Sequence, residues 1–238
     1  MTRASGAEPV RVGISTGPLP TDSSGAAVEW VLLRLDVEPD PEILDGLSGV
    51  VLGSASPSRG RKALAERFPL LPVETQDRLH DPAVREGFFD RLFAYRRFRD
   101  LERPPCRMAD LVAFHAAQKY LVLAHSPEHY RKLGRLVAGA RGEKRRAADV
   151  VTAYGALLME ALAVRATRGK HANVLLHVIG FLKNVLDSAD KRELVETVER
   201  YRRGLVPLAV PISLVNSHVR RHDVPWVKNQ VYLAPHTS

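Results

Sequence analysis

The sequence predicts an α+β protein: a small, truncated α/β unit at the N-terminus followed by a larger all-helical domain. Two observations carry this reading. Short β-branched runs alternate with helical stretches early in the chain, at residues 10–15 (V-R-V-G-I-S), 28–37 (V-E-W-V-L-L-R-L-D-V) and 50–54 (V-V-L-G-S). From Asp81-Pro82 onward apolar residues recur at helical spacing in every segment and no strand pattern returns. The boundary is expected after residue 103, which gives domains at 1–103 and 104–238.

Residues 1–9 read as disordered. The first run reads as a buried strand, followed by a loop rich in Gly, Pro, Ser and Thr up to Gly25. The second and third runs read as strands on either side of a short helical turn at 41–47. A helix at 60–68 carries Arg61 and Lys62 in its first turn. Residues 69–76 read as a linker-like turn. Asp81 then caps a helix with Pro82 at its first position, and Pro104-Pro105 ends it. Val84, Phe88, Leu92 and Tyr95 share one face of that helix, while Arg91, Arg96, Arg97 and Arg99 are expected on its solvent side.

Further helices are expected at 108–123, 127–138, 145–168, 170–186, 190–204, 212–221 and 225–233, with Ser126-Pro127 repeating the cap-then-proline signal. The helix at 170–186 is apolar around most of its circumference and is expected inside the core. Lys170, Asn173, His177 and Asn184 fall on one narrow stripe of it, so these polar groups need partners or a ligand.

Charge divides the chain as pattern does. Residues 1–77 hold 7 Lys and Arg against 11 Asp and Glu; residues 78–238 hold 28 against 16, with all nine histidines. The basic part suits a polyanion, because clustered cations release counterions from phosphates, although a solvated basic surface has the same composition. The single cysteine, Cys106, excludes an internal disulfide and a cysteine-only metal cage within one chain. No apolar run reaches the length of about 18 residues that a membrane span needs, and the N-terminal segment has no apolar signal core. A cytoplasmic protein without a membrane partner and without a cofactor is expected. No Ser-His-Asp order, P-loop or dinucleotide fingerprint is present.

Four motifs are more specific. A-H-S-P-E-H-Y-R-K-L-G-R-L-V-A (124–138), H-A-N-V-L-L-H-V-I-G-F-L-K (171–183), Y-R-R-G-L-V-P-L-A-V-P-I-S-L-V (201–215) and Q-V-Y-L-A-P-H (230–236) occur in order. They closely resemble the YbgA family, a bacterial helical domain of unknown function, over about residues 108–236. A further block, R-L-H-D-P-A-V-R-E-G-F-F-D-R-L-F-A-Y-R-R-F (78–98) after F-P-L-L-P-V-E, resembles the C-terminal end of the TudS-like thiouracil desulfurase domain. Such a fusion resembles the RudS type, which removes sulfur from thiouridine in tRNA, with the helical domain thought to hold the RNA. The resemblance implies three cysteines around an iron–sulfur cluster. Here the first site reads V-G-I-S-T followed by Gly17, and the last reads A-S-P-S-R-G with Arg59 in the cysteine's place. The middle C-P-E segment is missing between Gly25 and Asp45. Without thiolates the cluster cannot be built, so the N-terminal part is expected to be an inactive remnant.

The leading expectation is therefore a tRNA- or RNA-binding protein that performs no desulfuration. Its expected phosphate and base contacts are Lys119, Arg131, Lys132, Arg168, Lys170 and His171, together with Lys183, Asn184, Arg202, Arg203, Arg220 and Arg221. Two alternatives stand beside it. One is an enzyme in which His177, Asn173 and His125 act as an acid–base site on a nucleoside or other metabolite. The other is a non-catalytic subunit that meets a protein partner through the N-terminal remnant. His218 and His222 share a helix face at metal-chelating spacing, but no carboxylate follows and Arg220 and Arg221 oppose a cation, so no metal is expected.

Overall fold

A computed structural model describes residues 10–15, 28–33, 41–53, 62, 64, 66–140 and 146–236. Its N-terminal part is a four-stranded parallel sheet in the order β2-β1-β3-β4, formed by β1 (Val10–Ile14), β2 (Val28–Leu32), β3 (Gly49–Leu52) and β4 (Val73–Thr75). The short helix α1 (Pro41–Asp45) precedes β3. The expected disorder at 1–9, the loop to Gly25, residues 34–37 of the second run and residues 60, 61, 63 and 65 of the helix at 60–68 lie outside the described residues.

The segment at 69–76 is not merely a turn. Its V-E-T tripeptide pairs with β3 in the register Val50↔Val73 and Leu52↔Thr75. Three residues are too few to show alternation, so only the neighbouring strand defines this one. β1 and β3 are buried almost throughout, as central parallel strands are, and β2 is the half-exposed edge.

Helix α2 (Pro82–Glu102) joins the two parts of the molecule. Asp81 caps it by accepting from the Ala83 N–H at 2.8 Å. Phe88, Phe89, Leu92 and Phe93 pack with Val10, Val12, Ile14 and Val51 of the sheet, whereas Ala94 and Phe98 belong to the helical core. Covered on several sides, α2 does not leave its arginines in solvent as the helical pattern suggests. Arg91 reaches the buried Glu74 at 3.3 Å, and Arg99 reaches Asp45 at 2.9 Å. Arg97 donates to the Pro235 carbonyl at 2.9 Å, and Arg96 meets Asp100 at 2.6 Å.

Seven further helices follow among the described residues. They are α3 (Met108–His125), α4 (Pro127–Ala140), α5 (Ala147–Ala163), α6 (Arg168–Leu182), α7 (Ser188–Arg202), α8 (Ala209–His222) and the single turn α9 (Pro225–Lys228). Asp187 caps α7 by accepting from the Ala189 and Asp190 amides. Pro211 lies in the first turn of α8, where a missing N–H costs nothing, so this helix begins before the proline rather than after it. Gln230 interrupts the expected terminal helix by donating to the carbonyls of Ala116 and Trp226, and a 3₁₀ turn (Val231–Leu233) follows. At Gly155 in α5 a Cβ would lie 2.4 Å from Cζ of Phe98, so glycine is what lets α2 and α5 approach.

Helix α6 departs most from expectation. Ala172, Val174, Leu175, Val178, Ile179 and Leu182 are buried, but Asn173, Leu176, His177 and Gly180 are exposed, and beyond them Phe181 and Asn184. The helix covers the core with one side only. Beyond Lys170, its polar stripe faces water and not the interior.

Candidate functional site

The polar interior lies where α2, the end of α3, the start of α6 and the C-terminal segment meet. Asp90 faces inward from the middle of α2, with 4% of its surface exposed. One carboxylate oxygen lies 3.1 Å from Nε2 of His125, the last residue of α3; the other lies 3.0 Å from Nε2 of His236. Burial alone would raise the Asp90 carboxyl. The hydrogen bonds and charge of the two histidines overcome that and hold it well below the usual carboxylate range. Nδ1 of His125 lies 2.8 Å from the Val164 carbonyl. A carbonyl and an ionised carboxylate can only accept, so each nitrogen of this ring faces an acceptor. Lys170 locks the surrounding backbone by donating to the carbonyls of His125 (2.7 Å) and Arg165 (3.0 Å).

His171, in the first turn of α6, adds a second kind of imidazole. Its Nδ1 is 3.1 Å from the Tyr232 hydroxyl, its ring stacks on Tyr232, and the edge of Tyr201 stands against it. Burial lowers its pKa to about 4, so the ring is neutral at neutral pH. Its Nε2 has no hydrogen-bond partner among the described residues.

A cavity of about 170 Å³ opens beside these groups. Asp90, His125 and His171 line it together with Glu74, Arg78, Glu86, Gly87, Arg91 and the 163–166 connection. Glu74 is buried and forms one wall with Arg78 (3.0 Å) and Arg91 (3.3 Å). Glu86 reaches water at the mouth, yet most of its surroundings are protein. That desolvation, with the Asp90 charge, raises its carboxyl. Gly87 leaves space: a Cβ there would meet only Cε1 of His125, at 3.9 Å.

The structure separates the expected catalytic group. His125 is buried on Asp90, whereas His177 and Asn173 lie exposed on the outer face of α6, so these three do not form one site. The expected RNA contacts do not form one patch of free cations either. Arg202 and Arg203 both bind Glu199, Lys132 binds Glu128, and Arg221 lies 3.7 Å from Asp190. Lys170 is spent on backbone carbonyls and His171 is buried. Arg168 rests over Tyr201 and Lys119 over Trp226. Arg131, Lys183, Asn184 and Arg220 are exposed.

Sequence reasoning missed Asp90, His236, Tyr232 and Glu86. A signal for them existed in the motifs. The segment at 124–138 supplies His125, that at 171–183 supplies His171, that at 201–215 supplies Tyr201, and that at 230–236 supplies Tyr232 and His236. The block at 78–98 supplies Asp90. Each contributes at least one polar or aromatic group to this single interior.

Fold and site together define a helical protein built around a buried carboxylate–imidazole centre and carrying a small parallel sheet at one end. The chain belongs to the family described as protein of unknown function (DUF1722), whose model matches residues 119–237. It is similar to the uncharacterized protein YbgA of Escherichia coli (strain K12), 30% identical over 142 residues, which cover 60% of this chain and 83% of that relative. No solved structure matches. The matched family segment contains the histidines and tyrosines of the centre; Asp90, on α2, lies outside it.

Proposed function

We propose that the protein binds a small anionic molecule in the cavity beside Asp90 and carries out proton transfer on it. The observation that carries this reading is the pairing of two imidazoles in opposite hydrogen-bond surroundings at one cavity. Both nitrogens of His125 are held by acceptors, while His171 is neutral with a free Nε2. Groups whose surroundings push their protonation apart are the usual substance of acid–base sites. Here an anion would share Arg78 and Arg91 with Glu74 in the wall, and Nε2 of His171 exchanges the proton. His236 acts behind Asp90 and holds the carboxylate in place. The test is a thermal-shift titration with inorganic phosphate and with nucleoside monophosphates, on the wild type and on Gly87→Leu, whose side chain fills the cavity. Stabilisation of the wild type that disappears in the variant supports the reading; equal shifts in both proteins, or none in either, oppose it.

A second reading, RNA binding across the helical domain beside a cluster-less desulfurase remnant, has its own support. Phe181, 52% exposed, lies 4.5 Å from Trp226 between ring centroids, and Lys119 Nζ stands 4.4 Å above that indole. An exposed ring against a half-buried indole, beside a cation, makes a platform on which bases stack. The surface ion pairs of Arg202, Arg203 and Lys132 are worth little in water, so phosphates compete for these cations. Filter binding to tRNA should then weaken steeply with salt, and its absence at low salt would remove this reading. Freshly isolated protein should hold neither iron nor sulfide, since Cys106 is its one cysteine. A protein partner on the sheet would have the exposed Leu32 (74%) of edge strand β2 and Ile43 (41%) of α1 to cover.

A further inference from the structure

The N-terminal turn of α7 meets the C-terminal half of α8 in a cluster that shares no residue with the cavity. His218 and His222 are four residues apart on α8, so both project from one side of the helix. Their rings lie parallel within 3°, with centroids 6.2 Å apart. Asp190 of α7 supplies the carboxylate that the local sequence lacks, and one donor atom from each of the three residues lies within 4.8 Å of the others. His218 is 96% buried, yet its Nδ1 has no hydrogen bond; Asp190 Oδ2 lies 3.7 Å away. Nε2 of His222 is likewise buried without a partner. A buried imidazole nitrogen without a partner costs desolvation energy, so two of them beside one carboxylate need an explanation.

We propose that Asp190, His218 and His222 form a binding site for a divalent transition-metal ion of the zinc class. Two imidazoles and a carboxylate are the donors such an ion takes, and an i, i+4 histidine pair on a helix is a chelating arrangement. Tetrahedral zinc holds its donors about 3.3 Å apart, so small side-chain rotations close the cluster around the ion. Three protein ligands leave one position open for water or a ligand. The cation expected to oppose the ion, Arg221, lies 3.7 Å from Asp190 with its side chain 62% exposed, and is free to swing into solvent. Asp187, one turn before Asp190, lies close enough to be influenced electrostatically by His218, and adds negative charge beside the site.

The test uses the full chain after chelator treatment, titrated with ZnCl₂ by calorimetry and with CoCl₂ by visible absorption. One ion per chain is expected, with a tetrahedral Co²⁺ band. In His222→Gln and in Asp190→Asn, affinity should fall by at least about 100-fold, more than loss of an outer-shell partner costs. Neither residue is fully buried, and circular dichroism without metal checks that each variant keeps its fold. In the wild type, Zn²⁺ should move the ring resonances of His218 and His222 and leave those of His125 and His171 in place. Absence of stoichiometric binding to the wild type, unchanged affinity in both variants, or zinc-induced shifts at other histidines would overturn the assignment.

Discussion

His171 and His177 lie six residues apart on the same helix, and they show how differently one motif can be used. His171 is 6% exposed, stacked on Tyr232 and pushed by burial to a pKa of about 4. His177 stands in water on the outer face, with Asn173 on the same exposed side. Helical periodicity assigns residues to faces, but other segments decide which face is covered. Here Tyr232 stacks on the first turn of α6 with Asp90 of α2 beside the same cavity, and nothing among the described residues closes over its outer stripe.

The contrast predicts unequal responses. Asp90→Ala should have the largest effect, a loss of about 3–5 kcal/mol, because it removes the carboxylate from between two histidines and breaks a buried pair. Urea unfolding measures it, and a loss under about 1 kcal/mol would show that the centre does not hold the two parts together. His177→Ala in the same assay should change stability by no more than about 0.5 kcal/mol.

Acidification should come next. Between pH 6.5 and 4 an unfolded chain protonates the residue-171 imidazole while the folded chain excludes that proton. Stability is therefore full above pH 6.5 and falls on acidification, by about 3 kcal/mol from this group. Asp90 acts in the same direction further down: its folded pKa is depressed, so its contribution is complete above the ordinary carboxylate range and is lost below it. A His171→Gln variant should flatten the slope between pH 6.5 and 4, and an unchanged slope would place the titrating group elsewhere.

Gly155→Ala tests the helix crossing that carries Asp90 toward the bundle. The added methyl meets the Phe98 ring, and a loss of about 1–3 kcal/mol in unfolding free energy is expected. The smallest structural effect belongs to the outer surface. Phe181→Ala should leave the melting temperature nearly unchanged. Where RNA binds, the same change should weaken it by about 1–3 kcal/mol per stacked base, which filter binding reads. Loss of stability without loss of RNA affinity would make that aromatic pair a packing feature only.

Much of the architecture was legible in the sequence. The Asp81-Pro82 and Ser126-Pro127 signals mark the starts of α2 and α4, and the β-branched runs mark β1, β2 and β3. β4 was illegible because three residues show no period. Of the centre, His125 and His171 were recognised, but with the wrong partners. Asp90 looked like one more charge on an arginine-rich helix, and its partner His236 lies 146 residues away, where no local pattern reaches. The α6 stripe was misplaced because an apolar arc wider than half a helix does not reveal which part of it the fold leaves bare. The same limit hid Asp190, which joins His218 and His222 only through the packing of α7 on α8.

The ionisation of Asp90 tests the account most directly. Carbon-13 NMR of the aspartate side chains, with the Asp90 signal assigned by its absence in Asp90→Asn, follows that carboxyl as pH falls. Held between His125 and His236, it should stay charged through the ordinary carboxylate range for as long as the protein remains folded. Protonation at or above that range, the behaviour of a buried carboxyl without imidazole partners, would contradict it.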